Sequence, residues 1–263
     1  MNNIIGLYRR RMMMAALGSG IDVAALSITY TGAHTDYGMV TMSDGARYRF
    51  LAFTSSGTLS IEQPVNCEVC VVGGGANGYN GVGGAGAYMK NQVIEAFDSG
   101  EVVVGAAQGA SSIGGVSVYA VSGDSGGTGG GGHNDVWGPG SGDGKSKYPF
   151  GDDSYELWAG KPHCAGGAGG GYFSATSSDY AGGNGGTDGG SGGGATKGSF
   201  SGGTGGVYGG GNGGKGDSYG QNSGSNAIYY GSGGGGYGYG NGITGSNGSG
   251  YQGIVYIRIP VIQ

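Results

Sequence analysis

Gly202-Gly203-Thr204-Gly205-Gly206, followed by Gly209-Gly210-Gly211-Asn212-Gly213-Gly214, is the stretch that decides how this chain can fold. Glycine pairs alternate there with one or two other residues. The same unit stands upstream in Gly182-Gly183-Asn184-Gly185-Gly186 and Gly189-Gly190-Ser191-Gly192-Gly193. A spacing of three runs through Gly183, Gly186, Gly189 and Gly192, and again through Gly210, Gly213 and Gly216. Three residues per turn is the period of the polyproline II helix, which has no internal hydrogen bonds. Each of its N–H and C=O groups must find a partner outside the helix. Glycine lets neighbouring helices approach closely enough to supply those partners, for the steric reason that places it on the collagen axis. Ordering glycine costs more backbone entropy than ordering any other residue. Such helices are therefore expected only as an array.

Working outward, 52 of the 72 glycines fall within residues 122–253 of this 263-residue chain. Ordinary globular proteins carry about 7% glycine. Collagen is excluded, because glycine follows no strict every-third-residue rule and there are five prolines. Hydrophobic residues make up 37% and charged residues 11%. A disordered polyelectrolyte would need the opposite balance. The division that follows is a segment 1–45, a β base formed by 46–121 with 254–263, and a glycine-rich domain 122–253. The expected fold is mainly β and irregular: a small β-sheet or sandwich base carrying a bundle of polyglycine II helices with loop tips.

The base rests on short alternating runs. In 47–54, Tyr48, Phe50 and Ala52 alternate with Arg47, Arg49 and Leu51. Runs 58–61 and 67–72 follow, with the turn formers Pro64 and Asn66 between them. Runs 101–104 and 116–121 come next, after a short stretch 87–96. At the end, Ile254 and Tyr256 alternate with Val255, Ile257 and Ile259. Pairing of 254–259 with the early strands, 67–72 for preference, would hold both ends of the glycine-rich excursion together. A structureless loop of about 130 residues does not fit inside a compact module, so the excursion must carry its own order.

Three cysteines, Cys67, Cys70 and Cys164, make no disulfide framework. Cys67 and Cys70 lie three apart on a strand and so point to opposite faces. They read as small buried hydrophobes rather than as a metal or redox pair. The net charge of −5 and pI near 5.0 argue against a nucleic-acid partner. The N-terminal 1–18 combine Arg9, Arg10 and Arg11 with a short apolar stretch 12–17, too short for a secretory signal and lacking its small-residue cleavage site. Residues 1–26 suit instead a short amphipathic helix or docking peptide, within a docking segment 1–45. No run approaches a membrane span of about 20 residues.

Contact chemistry is expected where glycine thins out. The clearest interruption is 134–164, which carries Trp137, Tyr148, Phe150, Tyr155 and Trp158. Further candidate tips hold Tyr172, Phe173 and Tyr180, then Tyr219, Tyr229 and Tyr230, then Tyr237 and Tyr239 within 237–251. Tyrosine and tryptophan supply rigid contact area with a polar handle and dominate binding hot spots. The blander alternative is that they fill grooves of the scaffold or cover a sheet. Isolated Tyr79, Tyr88, Phe200 and Tyr208 take that blander reading. Asp143, Asp152 and Asp153 could meet a cation such as Ca²⁺, but they read as solvated loop carboxylates, so no metal is expected.

Gly81-Val82-Gly83-Gly84-Ala85-Gly86 fits a dinucleotide fingerprint in letters, with Glu95 at the distance of a ribose acid. That site needs the turn to open a helix, and none is indicated here. No cofactor is expected. Histidine occurs at 34, 133 and 163 alone, and Ser191 sits inside a glycine repeat rather than a nucleophile elbow. Paired carboxylates of a glycosidase are not visible. The chain reads as non-enzymatic.

The order of elements carries a resemblance. Phe53-Thr54-Ser55-Ser56-Gly57-Thr58, then Val69-Cys70-Val71-Val72-Gly73-Gly74-Gly75, then Gly83-Gly84-Ala85-Gly86 resembles the glycine-rich domain of phage and prophage tail proteins. Val102-Val103-Val104-Gly105-Ala106 and the closing Gly253-Ile254-Val255-Tyr256-Ile257-Arg258 fit the same pattern, which spans 48–260. More distantly, the chain is similar to the tail-fibre-tip adhesins of T-even-type phages, where stacked polyglycine II helices present loops that bind outer-membrane proteins or sugars. The resemblance implies a virion tail location and a bacterial surface receptor, protein or glycan, met by the aromatic tips. Residues 1–45 match no attachment region of those adhesins; Tyr8, Arg9, Arg10, Arg11, Met12 and Met13 are expected to dock onto another tail protein, and several copies on a particle would add avidity. Two rivals stand beside it. One is a purely structural tail, baseplate or cell-surface fibre; the other is ice or surface binding by a flat glycine face, against which the Tyr and Asp clusters argue.

Overall fold

The alternation read in 47–54 and 254–259 is realised by two strands lying side by side. The computed structural model describes residues 21–42, 45–79, 83–84, 86–118, 134–135, 138–139, 148–151, 163, 172–173, 209–212, 214, 223–237, 239–240 and 243–261. The first strands are β1 (Ile28–Tyr30), β2 (His34–Thr41), β3 (Arg47–Phe53), β4 (Gly57–Val72), β5 (Met89–Val103), β6 (Ser111–Ile113) and β7 (Val116–Val118). Two-residue pieces follow: β8 (Asn134–Asp135), β9 (Gly138–Pro139), β10 (Tyr172–Phe173), β11 (Tyr239–Gly240) and β12 (Ile243–Thr244). The last strand is β13 (Ile254–Pro260), and no α-helix occurs among the described residues.

Eight strands form one antiparallel sheet in the order β2-β3-β13-β4-β5-β6-β7, with β1 paired to β4. The last strand thus enters the middle of the sheet. Tyr256 stands opposite Ala52 on one side and Cys70 on the other. The pairing of the closing strand with 67–72 is therefore as the sequence suggested.

Both faces of this central region are buried. Leu51, Phe53, Val69, Val71, Val255, Ile257 and Ile259 pack on one face with Leu59, Val102, Ile113 and Val116. Tyr48, Phe50, Ala52, Cys70, Val72, Ile254 and Tyr256 form the other. Each fully buried Val, Leu, Ile or Phe contributes about 1.5–3 kcal/mol, so the sheet is held by side chains. Cys67 belongs to the first face and Cys70 to the second, and both are buried. Burial, with the neighbouring Glu68 charge, pushes the Cys67 thiol up to about 12.

Three sequence expectations need correction. Pro64 and Asn66 do not separate two strands; β4 runs through them, with its register to β5 shifting between Ser60 and Val65 and between Val65 and Cys67. Proline is tolerated at such irregularities because the ladder there needs no donor from it. Asn66 is buried, and its Oδ1 accepts the Ala96 N–H at 2.9 Å. Next, 87–96 is not a connector, because β5 starts at Met89. Finally, the sheet begins well before residue 45. Val23 and Leu26 are buried in its core, and β1 and β2 pair with β4 and β3. β13 packs against β6 without pairing with it, which places the two halves of the bent sheet around a common core.

Beyond the sheet, the chain continues as extended glycine-rich segments that bond to one another through their backbones. The central one is 231–236, all of it buried. Its carbonyls serve three neighbours in rotation. Gly231 and Gly234 accept from Ala87 and Gly84, both at 2.7 Å. Ser232 and Gly235 accept from Tyr251 and Gly248, at 2.8 and 2.7 Å. Gly233 and Gly236 accept from Gly211 and Gly214, both at 2.8 Å. Its own N–H groups at Gly231, Gly234 and Gly235 donate to Gln252, Ala76 and Ser225, each at 2.9 Å. Every neighbour is thus met at a step of three residues. The segments also touch backbone to backbone: a Cβ on Gly235 would come within 3.0 Å of the Asn212 carbonyl, and one on Gly248 equally close to that of Ser225. Asn77 ties the edge of this array together, its Oδ1 accepting from Gly250 N–H at 2.9 Å and its Nδ2 donating to Gln108 at 2.6 Å.

Candidate functional site

Among the described residues, aromatic side chains pack over the second face of the sheet. Tyr148, Phe150 and Tyr230 lie partly buried against it. Phe150 meets Phe50 edge-on, with ring centroids 5.9 Å apart. Its N–H donates to Asn91 Oδ1 at 3.2 Å, and its φ of 58° is a left-handed value that costs a non-glycine about 1–2 kcal/mol. Its ring also covers the buried Arg258 guanidinium at 4.2 Å, with Tyr48 on another side at 4.6 Å. Arg258 in turn donates to Glu68 from Nε at 3.0 Å. A buried ion pair gains little unless its remaining faces are also satisfied, and here two rings supply that. Tyr148 and Phe150 therefore lie against the sheet, and the Phe150 ring shares with Tyr48 the shielding of the buried Arg258 charge.

The larger cluster forms where sheet and glycine array meet. His163 is fully buried and its Nε2 lies 2.8 Å from the Tyr256 hydroxyl. Its ring is edge-on to Tyr229 at 5.0 Å and stacked with Tyr230 at 5.9 Å. Tyr229 and Tyr230 are tilted neighbours at 5.5 Å, and Tyr230 meets Tyr251 edge-on at 5.6 Å. Tyr37 meets Phe50 edge-on at 6.1 Å and lies close enough to Tyr229, Tyr230 and Tyr256 to raise their pKa values. Outward from the buried Tyr256, the cluster reaches the surface at Tyr37, 44% exposed, and Tyr251, 37% exposed.

Local backbone fixes each of these rings. Tyr229 and Tyr230 occupy a turn closed by the Ser232 N–H to the Tyr229 carbonyl at 3.0 Å, with Gly231 at φ 69°. Gly209, at φ 103°, lies directly beneath Tyr229, where a side chain would strike its Cβ. The Tyr251 N–H donates to Ser232 at 2.8 Å. Tyr37 rides on the bulge between Asp36 and Gly38, where the Gly38 N–H donates to Asp36 Oδ1 at 2.8 Å.

The electrostatics favour neutral phenols. Burial first, then the neighbouring phenols, pushes Tyr229 up to about 12 and carries Tyr230 upward and Tyr256 well above the ordinary value. The acid beside Tyr37 is already matched, because Asp36 pairs with Arg49 at 2.7 Å. Burial alone would raise the Asp36 carboxyl, but hydrogen bonds from Arg49 and Gly38 and the Arg49 charge hold it below its usual value. Among the described residues no group of three or more His, Cys, Asp or Glu side chains converges to hold a metal.

Of the residues singled out from sequence, Tyr229 and Tyr230 come together here. Tyr172 and Phe173 form β10, paired in parallel with Tyr239 and Gly240 of β11. Tyr237 is half-exposed, and its N–H donates to Asn247 Oδ1 at 3.2 Å. Trp137, Tyr155, Trp158, Tyr180, Tyr219, the three loop aspartates Asp143, Asp152 and Asp153, and the docking residues Tyr8, Arg9, Arg10, Arg11, Met12 and Met13 lie outside the described residues. Tyr79 and Tyr88, expected to fill grooves, are exposed at 63% and 41%. Sequence reasoning missed Tyr37, His163 and Tyr256 as partners of the cluster. Tyr37 carried one usable signal, an aromatic next to glycine that follows the polar run His34–Asp36. No protein-family model matches the chain, and neither does any curated protein or solved structure.

Proposed function

We propose that this chain is the receptor-binding module of a phage or phage-derived tail, a polyglycine II bundle on a β base whose aromatic surface meets a bacterial receptor. One observation carries the reading: Tyr37, Tyr229, Tyr230 and Tyr251, from three distant parts of the chain, converge at one surface with backbones already hydrogen-bonded. A preformed aromatic surface loses little entropy when it binds. The three-residue step of the backbone bonds supports the polyglycine II assignment. Residues 1–20, with Tyr8, Arg9, Arg10, Arg11, Met12 and Met13, would dock to another tail protein, and several copies on one particle would add avidity. The module performs no catalysis.

The burial of Tyr148 and Phe150 against the sheet favours a second reading, a purely structural tail or fibre component. Binding of the labelled, purified chain to a panel of bacterial strains separates the two. Saturable binding to particular strains, with block of particle adsorption to those same strains, supports recognition. If no strain binds the chain and particles lacking it adsorb normally, the structural role stands in its place.

A further inference from the structure

We infer that Tyr37, Tyr229, Tyr230 and Tyr251 form a site for the pyranose ring of an uncharged glycan. This deepens the proposed recognition role and rests on it.

Geometry leads the argument. Tyr230 lies between Tyr229 and Tyr251, its ring inclined to theirs by 53° and 71° at centroid distances of 5.5 and 5.6 Å. Rings set at such angles present differently inclined faces, not one flat apolar plate. A pyranose offers a C–H face bordered by hydroxyls. Tyrosine answers both parts, with an apolar ring and a hydroxyl that donates and accepts. Burial keeps the Tyr229 and Tyr230 phenols protonated through the physiological range, so both retain that double capacity.

Charge narrows the ligand. An acidic sugar or a phosphate would call for an unmatched cation, usually arginine. Among the described residues, Asp36 next to Tyr37 and its partner Arg49 satisfy each other at 2.7 Å. Among the described residues, the exposed aromatic side chains of the cluster are tyrosines, Tyr37 and Tyr251.

The test uses the full-length chain and a strain that it binds, with cells first oxidised by periodate, which cleaves vicinal diols, or first treated with protease. A glycan ligand predicts loss of binding after periodate and retention after protease. Tyr37→Ala and Tyr251→Ala, both at partly exposed positions, should each weaken binding about tenfold or more while the chain still folds and melts cooperatively. Tyr251→Trp, which keeps a ring to stack on, should retain it. Binding that survives periodate and is lost to protease overturns the glycan site and leaves the recognition role standing, as does binding indifferent to both alanine changes. Failure of the wild-type chain to bind any strain brings down the recognition role itself.

Discussion

The sheet and the glycine array solve one problem, burying a backbone, by opposite means. In the sheet, Phe50, Leu51, Phe53, Val69, Val71 and Ile257 exclude water with their side chains while the ladder satisfies the peptide groups. In the array, 231–236 is just as buried, yet the segment holds five glycines and one serine. Side-chain burial contributes almost nothing there. What holds it is that nearly every peptide group finds a partner, since an orphaned buried donor or acceptor costs about 1–3 kcal/mol. The sheet therefore depends on volume and the array on the absence of volume. Each should be broken by the change the other tolerates.

The largest effect is expected in the sheet. Phe50 is fully buried between Tyr37, Phe150 and Tyr256, so Phe50→Ala should lower the free energy of unfolding by about 3–5 kcal/mol in denaturant titrations. Adding a single methyl to the array comes next. In Gly235→Ala the new carbon would strike the Asn212 carbonyl, a backbone atom that cannot swing away. A loss of about 1–3 kcal/mol is expected. Hydrogen exchange should show amide protection falling at Ser225, Gly234 and Gly248 while the β13 amides keep theirs. Uniform loss through both regions would show that sheet and array unfold as one unit and erase the contrast.

The smallest effect concerns the seam between them and appears only in alkali. The folded pKa of Tyr229 is raised above its ordinary 10.0 to about 12, and that of Tyr256 moves the same way. Between those values the unfolded chain has released protons that the folded chain still holds, so stability falls as pH rises. The contribution is intact below pH 10.0 and is lost as pH climbs through about 12. Thermal melts across that range should show the decline, and Tyr256→Phe, with one fewer buried phenol, should show a shallower one.

Much of the sheet was legible because strand alternation is a local signal. Tyr48, Phe50 and Ala52 against Leu51 and Phe53 announce two faces, and the opposed Cys67 and Cys70 follow from the same period of two. β2 was not legible. His34–Thr41 is mostly exposed edge with a bulge, so it carries no apolar alternation. The irregular middle of β4 was misread because Pro64 and Asn66 resemble turn residues until β5 is seen to accommodate them. The three-residue step in the glycine runs was visible, but which segment faces which was not, since identical glycines encode no partner. The aromatic cluster was half visible. Tyr229 and Tyr230 stand out in any reading, whereas their meeting with Tyr37, His163 and Tyr256 depends on closures between separate parts of the chain. Composition along the chain carries no trace of such closures.

The rotation of acceptors along 231–236 has a consequence for how such a chain can change length. Neighbours are revisited at every third residue, so an inserted or deleted triplet brings each carbonyl back to the side it faced before. An insertion of one or two residues turns every later carbonyl toward the wrong neighbour. The array can grow or shrink in triplets while keeping its lattice, and selection acting on segment length would favour that count.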